Sequence, residues 1–172
     1  MSTFAVILFG LIVLGGMGFL LFRHIKTIRS QQAQAKRAFQ QRLLAPDWEL
    51  YAAHLERDVP DAMKLLYVEF ALLLSEVEIT LESGITITEF FPIDAQAVLD
   101  QKAFQPENMG FDCLPFATMA GQELFLQPGR TATNSVYLFD GSAIEVVFAD
   151  IADLLSALRQ HSEVNSRLKT PD

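Results

Sequence analysis

Histidine and cysteine side chains are the first candidates for chemistry, because both ligate metals and act in catalysis near neutral pH. The chain has three histidines, His24, His54 and His161, and one cysteine, Cys113. The histidines are far apart, and none stands in the HExxH spacing that places two ligands on one helix face. One cysteine supplies neither a disulfide framework nor a zinc–cysteine cluster. We expect surface histidines, a small buried thiol and no metal site.

Carboxylates are the second candidates, since paired acids serve as general acid and base. Glu78 with Glu82 and Asp140 with Glu145 are conceivable pairs, but acids on the wet face of a strand are ordinarily solvated, and no sequence pattern here indicates shifted pKa values. The clustered glycines, Gly15 to Gly18, lie inside an apolar run, so no phosphate-cradling loop is predicted. We therefore expect no enzymatic activity, no cofactor and no small-molecule substrate.

Charge is divided sharply along the chain. Residues 1–46 contain six basic residues and no acid, whereas the remaining 126 residues hold all 21 acids and the other seven bases, a net charge of 7 − 21 = −14. Such asymmetry indicates two environments. A part of the chain at −14 is repelled by phosphate backbones, which argues against nucleic acid as a partner and favours a basic protein.

An uncharged, strongly apolar run extends from Phe4 to Phe22, and 13 of its 19 residues are Leu, Ile, Val or Phe. A helix of this length spans about 29 Å, close to the hydrocarbon thickness of a bilayer. These side chains contribute about −4 to −8 kcal/mol to insertion, which outweighs the four glycines of the run. The sequence thus predicts a single transmembrane anchor in residues 1–22.

Two alternatives compete with this anchor. A buried core helix is disfavoured because such helices seldom run this long without a polar residue. A cleaved signal peptide is disfavoured because no basic residue precedes the run and no small-x-small cleavage site follows it. The positive charge lies on the carboxyl side of the run, at Arg23, Lys26 and Arg29, which are expected at the membrane surface. The positive-inside rule then predicts an inner-membrane protein with its N-terminus outside and its domain in the cytoplasm.

Residues 23–46 predict a basic juxtamembrane helix, with Ile28, Gln32, Ala35, Phe39 and Leu43 along one face. The bases of this helix can approach anionic headgroups, each worth about 1 kcal/mol near the surface. A solvated spacer helix fits the same pattern, and the sequence leaves both readings open. Pro46-Asp47 is expected to end the helix.

Residues 47–160 predict an α+β domain with a mostly antiparallel sheet flanked by helices, and residues 161–172 predict a polar tail. We expect helices at 48–55, capped by Asp47, at 60–74, and from 151 onward, capped by Asp150. Asp140-Gly141 predicts a tight hairpin turn. A short helix is expected at 94–101, and the predicted strands are 77–82, 85–88, 111–116, 123–127, 135–139 and 143–148.

The order of several segments resembles the SUKH superfamily, an α+β fold of bacterial immunity proteins and of a yeast cell-wall regulator. The resemblance covers about two-thirds of the chain. After an early Trp48, it is carried by VPDAMKLL (59–66), FFPI (90–93), LPFA (114–117), GQELFL (121–126), SVYLFDG (135–141), IEVV (144–147) and FADIADLL (148–155). The chain departs from the family pattern after the second helix, where Leu73-Leu74-Ser75-Glu76 replaces the usual Asn-Gly-Gly.

The resemblance implies a non-catalytic protein-binding domain. The first functional hypothesis is an immunity protein that occludes a basic toxin, for which the acidity of the domain is suited. The second is a membrane-bound adaptor or regulatory subunit that recruits a cytosolic partner to a membrane complex, which the anchor favours. As partner-binding residues we expect acids on strand faces and turns, namely Asp112, Glu123, Asp140 and Glu145.

Overall fold

The computed structural model describes the backbone of residues 3–75, 78–104 and 113–168, and the side chains of residues 24–73, 75, 78–100 and 113–162. The chain divides into two compact units, Met1–Phe39 and Gln40–Asp172. The first unit consists of most of helix α1 (Thr3–Leu44). Within the described residues, no helix combines the length and apolar character needed to cross a bilayer. The predicted span from Phe4 to Phe22, and the side chain of Arg23, lie outside the part whose side chains are described.

The second unit is an α+β domain built on one six-stranded antiparallel sheet, which confirms the predicted fold class. The strands neighbour one another in chain order, so β1 and β6 are the edges. The elements are α2 (Trp48–Leu55), α3 (Asp61–Leu74), β1 (Ile79–Thr80), β2 (Thr86–Phe90), α4 (Ala95–Phe104), β3 (Pro115–Met119), β4 (Gln122–Leu126), β5 (Val136–Phe139), β6 (Ile144–Phe148) and α5 (Ile151–Leu168).

Local signals in the sequence fix where three of the helices begin. Asp47 caps α2, accepting a hydrogen bond from the Leu50 amide at 2.9 Å. Pro60 stands just before α3, where its missing amide hydrogen costs nothing. Asp150 accepts a hydrogen bond from the Ala152 amide at 2.8 Å at the start of α5. The predicted caps at Asp47 and Asp150 are thereby confirmed, since each satisfies an amide that the helix leaves unpaired.

A chain of aromatic rings joins the helices to the sheet. Trp48 on α2 meets Tyr67 on α3 edge to face at a centroid distance of 5.3 Å, and Tyr67 meets Phe90 of β2 at 5.4 Å. Phe90 contacts Phe116 of β3 at 6.0 Å. The last two side chains are fully buried, so truncating either to alanine is expected to cost about 3–5 kcal/mol. This core sets the position of α2 and α3 relative to the sheet.

A second, smaller cluster contains the lone thiol. Cys113 packs with Phe125 and Phe139, and the partly buried Tyr137 lies against them. The thiol is buried, with 5% of the residue exposed, which confirms the expected buried cysteine. Among the described residues, no three histidine, cysteine or carboxylate side chains come together in a group able to hold a metal ion.

Several boundaries differ from the predicted ones. Within the described residues β1 is limited to Ile79–Thr80, and the largest shifts are those of β3 and α5. Strand β3 occupies Pro115–Met119, four residues later than predicted, because it pairs with β4 through the two-residue turn Ala120-Gly121. Both turn residues have positive φ angles, 50° and 85°, as a tight hairpin turn requires. Helix α5 continues to Leu168, past the predicted start of the tail at residue 161. The helix is held by its packing through the buried Ile151, Leu154, Leu155 and Leu158, and the polar residues that follow continue it.

Candidate binding groove

A groove of about 590 Å³ lies between the start of α2, the α2–α3 connection and the segment before β5. This volume falls within the range of about 300–1,000 Å³ that is typical of ligand sites. Trp48, Val59 and Pro60 give the groove an apolar part, and charged residues surround it. Its lining residues are Trp48, Glu49, Ala52, Asp58, Val59, Pro60, Asp61, Lys64 and Asn134.

Arg57 holds residues 132–134 in place, and Asn134 of this segment lines the groove. Its guanidinium donates to the Ala132 carbonyl at 3.0 Å, to the Thr133 carbonyl at 2.7 Å and to Oδ1 of Asn134 at 2.7 Å. These bonds join the end of α2 to residues more than seventy positions later in the chain. The Asn134 carbonyl in turn accepts the first amide of α5, from Ile151, at 2.8 Å. Arg57 is therefore a positioning residue for the groove.

Trp48 is the only tryptophan of the chain and is held in a fixed orientation. Its indole is partly buried and meets Tyr51 and Tyr67 edge to face, at interplanar angles of 68° and 86°. Its Nε1 hydrogen has no acceptor among the described residues. A partly exposed, oriented indole with an unused donor is the kind of anchor on which protein interfaces are centred.

The groove carries an excess of negative charge. Glu49, Asp58 and Asp61 line it, against one basic side chain, Lys64. Among the described residues, Lys64 forms an ion pair with Asp61 alone, at 3.6 Å, and that carboxylate is 95% exposed. Glu49 and Asp61 lie in the first turns of α2 and α3, where the helix dipole stabilises an acid. Asp58 lies between the two helices and has no partner among the described residues.

The polar side chains that line the groove are three carboxylates, one ammonium group and one amide, beside the Trp48 indole. Carboxylates beside an oriented aromatic ring bind cations, through ion pairing and through the negative face of the ring. The arrangement therefore suits a cationic side chain or group.

The partner-binding acids predicted from the sequence are dispersed. Asp112 lies outside the described residues. Asp140 is engaged in its own turn, where it accepts hydrogen bonds from the Ser142 and Ala143 amides at 2.8 and 2.7 Å. These bonds lower the pKa of its carboxyl group. Asp140-Gly141 does form the predicted turn between β5 and β6, with Gly141 at a φ of 91°.

The other two acids point to opposite faces of the sheet. Glu123 pairs with Phe139, and Phe139 pairs with Ile144, so these three residues form one row across β4, β5 and β6. Glu145 pairs with Leu138, which belongs to the adjacent row. Adjacent rows project to opposite faces. Glu123 is half-buried, and burial raises the pKa of its carboxyl group, while Glu145 is exposed on the edge strand β6. The predicted role of these acids in partner binding stays a prediction.

The groove was not predicted from the sequence, because its lining comes from residues 48–64 and from Asn134, which only the fold brings together. A local signal was nevertheless present. One short helix separates its start at Trp48-Glu49 from the acidic helix-ending segment Asp58-Val59-Pro60-Asp61. The shortness of this helix keeps the aromatic ring and the acids near one another. Of the predicted membrane-surface bases, Lys26 and Arg29 are exposed on α1.

The chain was compared with family models, with curated proteins and with solved structures, and none of the three comparisons produced a match.

Proposed function

We propose that this chain is a membrane-anchored, non-catalytic protein-binding protein of the SUKH type, whose acidic domain acts as an immunity protein against a basic toxin. The observation that carries the proposal is the division of charge. All 21 acids follow residue 46, behind an acid-free, basic and apolar N-terminal part. A basic protein approaching such a domain is accelerated by its field, and complementary charge also disfavours wrong partners.

The proposed location follows from the same division. The run from Phe4 to Phe22 inserts in the inner membrane, the bases Arg23, Lys26 and Arg29 remain on the cytoplasmic side, and the domain faces the cytoplasm. A tethered domain at this surface meets a toxin as it emerges from the bilayer. The groove at the α2–α3 connection supports a binding role, because it offers an oriented indole beside carboxylates that can pair with a cationic partner.

A second candidate function is a membrane adaptor or regulatory subunit that recruits a cytosolic partner to a membrane complex. The anchor favours it, since capture of a soluble toxin needs no tether. The two functions differ in their consequence for the cell: an immunity protein prevents killing, whereas an adaptor is needed for the work of its complex.

The test is a protection experiment on the full chain. A basic toxin domain encoded beside the gene is expressed in the cytoplasm with and without the chain, and colony survival is counted. We expect survival to be restored at least a hundredfold, and the purified pair in nanodiscs to bind with a Kd of about 10 nM or tighter, about −11 kcal/mol. A catalytically inactive toxin serves as the control for binding without killing.

Killing that proceeds unchanged, while the chain is present in the membrane at full length, would contradict the immunity function. If the chain is then recovered in a defined membrane complex that loses activity when the chain is deleted, the adaptor function is the correct one.

A further inference from the structure

We propose that the groove between α2 and α3 binds an arginine side chain of the basic partner, with the guanidinium against the Trp48 indole and ion-paired with Asp58 and Glu49. This inference deepens the proposed function, on which the nature of the partner rests. It names the place on the domain where recognition is centred and the side chain that is recognised.

Charge complementarity selects a cation as the occupant. Three carboxylates line the groove against one ammonium group, and Lys64 is engaged with Asp61. Neither the Glu49 nor the Asp58 carboxylate has a hydrogen-bond or ion-pair partner among the described residues. Two carboxylates without partners beside an apolar surface gain from a cationic ligand that brings its own donors.

The shape and chemistry of the wall select arginine over lysine. Trp48 lines the groove, and its edge-to-face contacts with Tyr51 and Tyr67 restrict the orientation of its ring. A planar guanidinium stacks on an indole and still presents donors to carboxylates in its plane. An ammonium group is a compact, strongly hydrated point charge that gains less from such a surface.

The groove is also preorganised, which favours a specific site over a diffuse acidic surface. Arg57 fixes residues 132–134 with three hydrogen bonds, and the aromatic contacts fix α2 and α3. Because the frame of the groove and the indole are already fixed, the ordering cost of binding falls mainly on the exposed Glu49 and Asp58 side chains.

Trp48 provides a direct signal for the test, since it is the single tryptophan of the chain. The full chain in nanodiscs of zwitterionic lipid is titrated with acetylated tri-arginine amide, tri-lysine amide and the uncharged isostere tri-citrulline amide. Binding is followed by Trp48 fluorescence and, independently, by calorimetry. We expect saturable binding of tri-arginine, binding of tri-lysine that is at least threefold weaker, and no binding of tri-citrulline.

The variant that tests the site is Glu49→Gln/Asp58→Asn, which removes two charges and preserves side-chain shape. Its matched control is Glu78→Gln/Glu82→Gln, which removes the same charge from two exposed positions on the β1–β2 hairpin. We expect tri-arginine affinity to fall at least tenfold in the groove variant and less than twofold in the control. A thermal melt of each variant verifies folding, and Trp48→Phe, read by calorimetry, separates the contribution of the indole.

Equal losses in the two double variants would overturn the inference, because the peptide would then follow overall charge and not the groove. The absence of binding by both methods would overturn it as well. The outcome is separable from the fate of the proposed function. A groove variant that still protects cells from the toxin leaves the immunity function standing without the groove, and a chain found outside the membrane contradicts the function whatever the titration gives.

Discussion

Two buried tyrosines on neighbouring helices have hydroxyl groups in opposite situations. Tyr67 donates to the Phe91 carbonyl at 2.6 Å and lies 3.2 Å from the Phe116 carbonyl. The Tyr51 hydroxyl, on a residue that is completely buried, has no hydrogen-bond partner in the part of the chain that the structure describes. Burial raises the pKa of both tyrosines, so both stay neutral at any ordinary pH. The two positions form a matched pair for measuring the cost of an unpaired buried hydroxyl.

Tyr51→Phe is expected to leave the free energy of unfolding unchanged or to raise it by about 1 kcal/mol, because it removes a polar group that is buried without a partner. Tyr67→Phe is expected to lower it by about 1–2 kcal/mol, because the Phe91 carbonyl loses its donor. Urea unfolding followed by circular dichroism measures both changes. Equal losses in the two variants would show that the Tyr51 hydroxyl has a partner in solution.

The ion pair between Asp94 and Arg42 predicts that the stability of the fold depends on pH in acid. The Arg42 guanidinium donates to both oxygens of Asp94, at 2.6 and 2.9 Å, and holds the pKa of that carboxyl group below its usual 3.8. The folded chain therefore binds this proton more weakly than the unfolded chain. The stabilisation is present above pH 3.8 and is lost as the pH falls through the lowered value.

Asp94→Asn is expected to lower the free energy of unfolding by about 1 kcal/mol at pH 7, because the pair is partly exposed and screened. The difference from the native chain should vanish in acid. Arg42→Lys, which keeps the charge but not the two-point geometry, serves as the control. A loss that is equal at pH 7 and pH 2.5 would contradict the electrostatic account.

Glu123 predicts a pH dependence of stability that is opposite in sign to that of Asp94. Burial raises the pKa of its carboxyl group above 4.5, so the folded chain holds the proton more tightly than the unfolded chain, and stability falls as the pH rises from 4.5 through the raised value. Glu123→Gln is expected to raise the unfolding midpoint at pH 7 and to leave it unchanged well below pH 4.5. Thermal melts across this range measure the effect. A Gln variant that is less stable at neutral pH would indicate a favourable cation partner for Glu123 within the chain.

At the scale of elements, Arg57 is the connection between α2 and the segment that precedes β5. Arg57→Ala is expected to cost about 2–3 kcal/mol, since it removes three charge-assisted hydrogen bonds, two of them partly buried and one exposed. Arg130→Ala, at an exposed position on the same connection, is the control and should change stability by less than about 0.5 kcal/mol. Urea unfolding measures both changes. Similar losses of unfolding free energy in the two variants would contradict the role of Arg57 in joining α2 to the segment before β5.

The elements also show which sequence signals were sufficient. Asp47 and Asp150 predicted helix starts correctly, because a capping side chain acts within three residues of itself. Asp140-Gly141 predicted its hairpin turn for the same local reason. The turn Ala120-Gly121 was not predicted, because alanine seldom adopts a positive φ angle and so gives no signal of a tight turn, and β3 was therefore predicted four residues too early.

The groove marks the limit of local reasoning. Trp48 and Asp58 are close in sequence, but Asn134 reaches them only through Arg57 and the register of β4 with β5. No periodic pattern in the sequence indicates that Asn134 lies near Trp48 and Asp58. The acids chosen from the sequence were those on strands and turns, and the structure places the described ones apart from one another and outside the groove lining.

At the scale of the whole molecule, the proposed function requires the apolar and basic N-terminal part to remain attached to the bilayer. The measurement that tests this most directly is alkaline carbonate extraction of membranes, with the intact mass of the chain determined in pellet and supernatant. We expect the full-length chain in the pellet, because alkaline extraction removes proteins held by charge contacts at the membrane surface but leaves a transmembrane helix in the bilayer. Recovery of the chain in the supernatant, or a mass shortened by the predicted anchor, would contradict it.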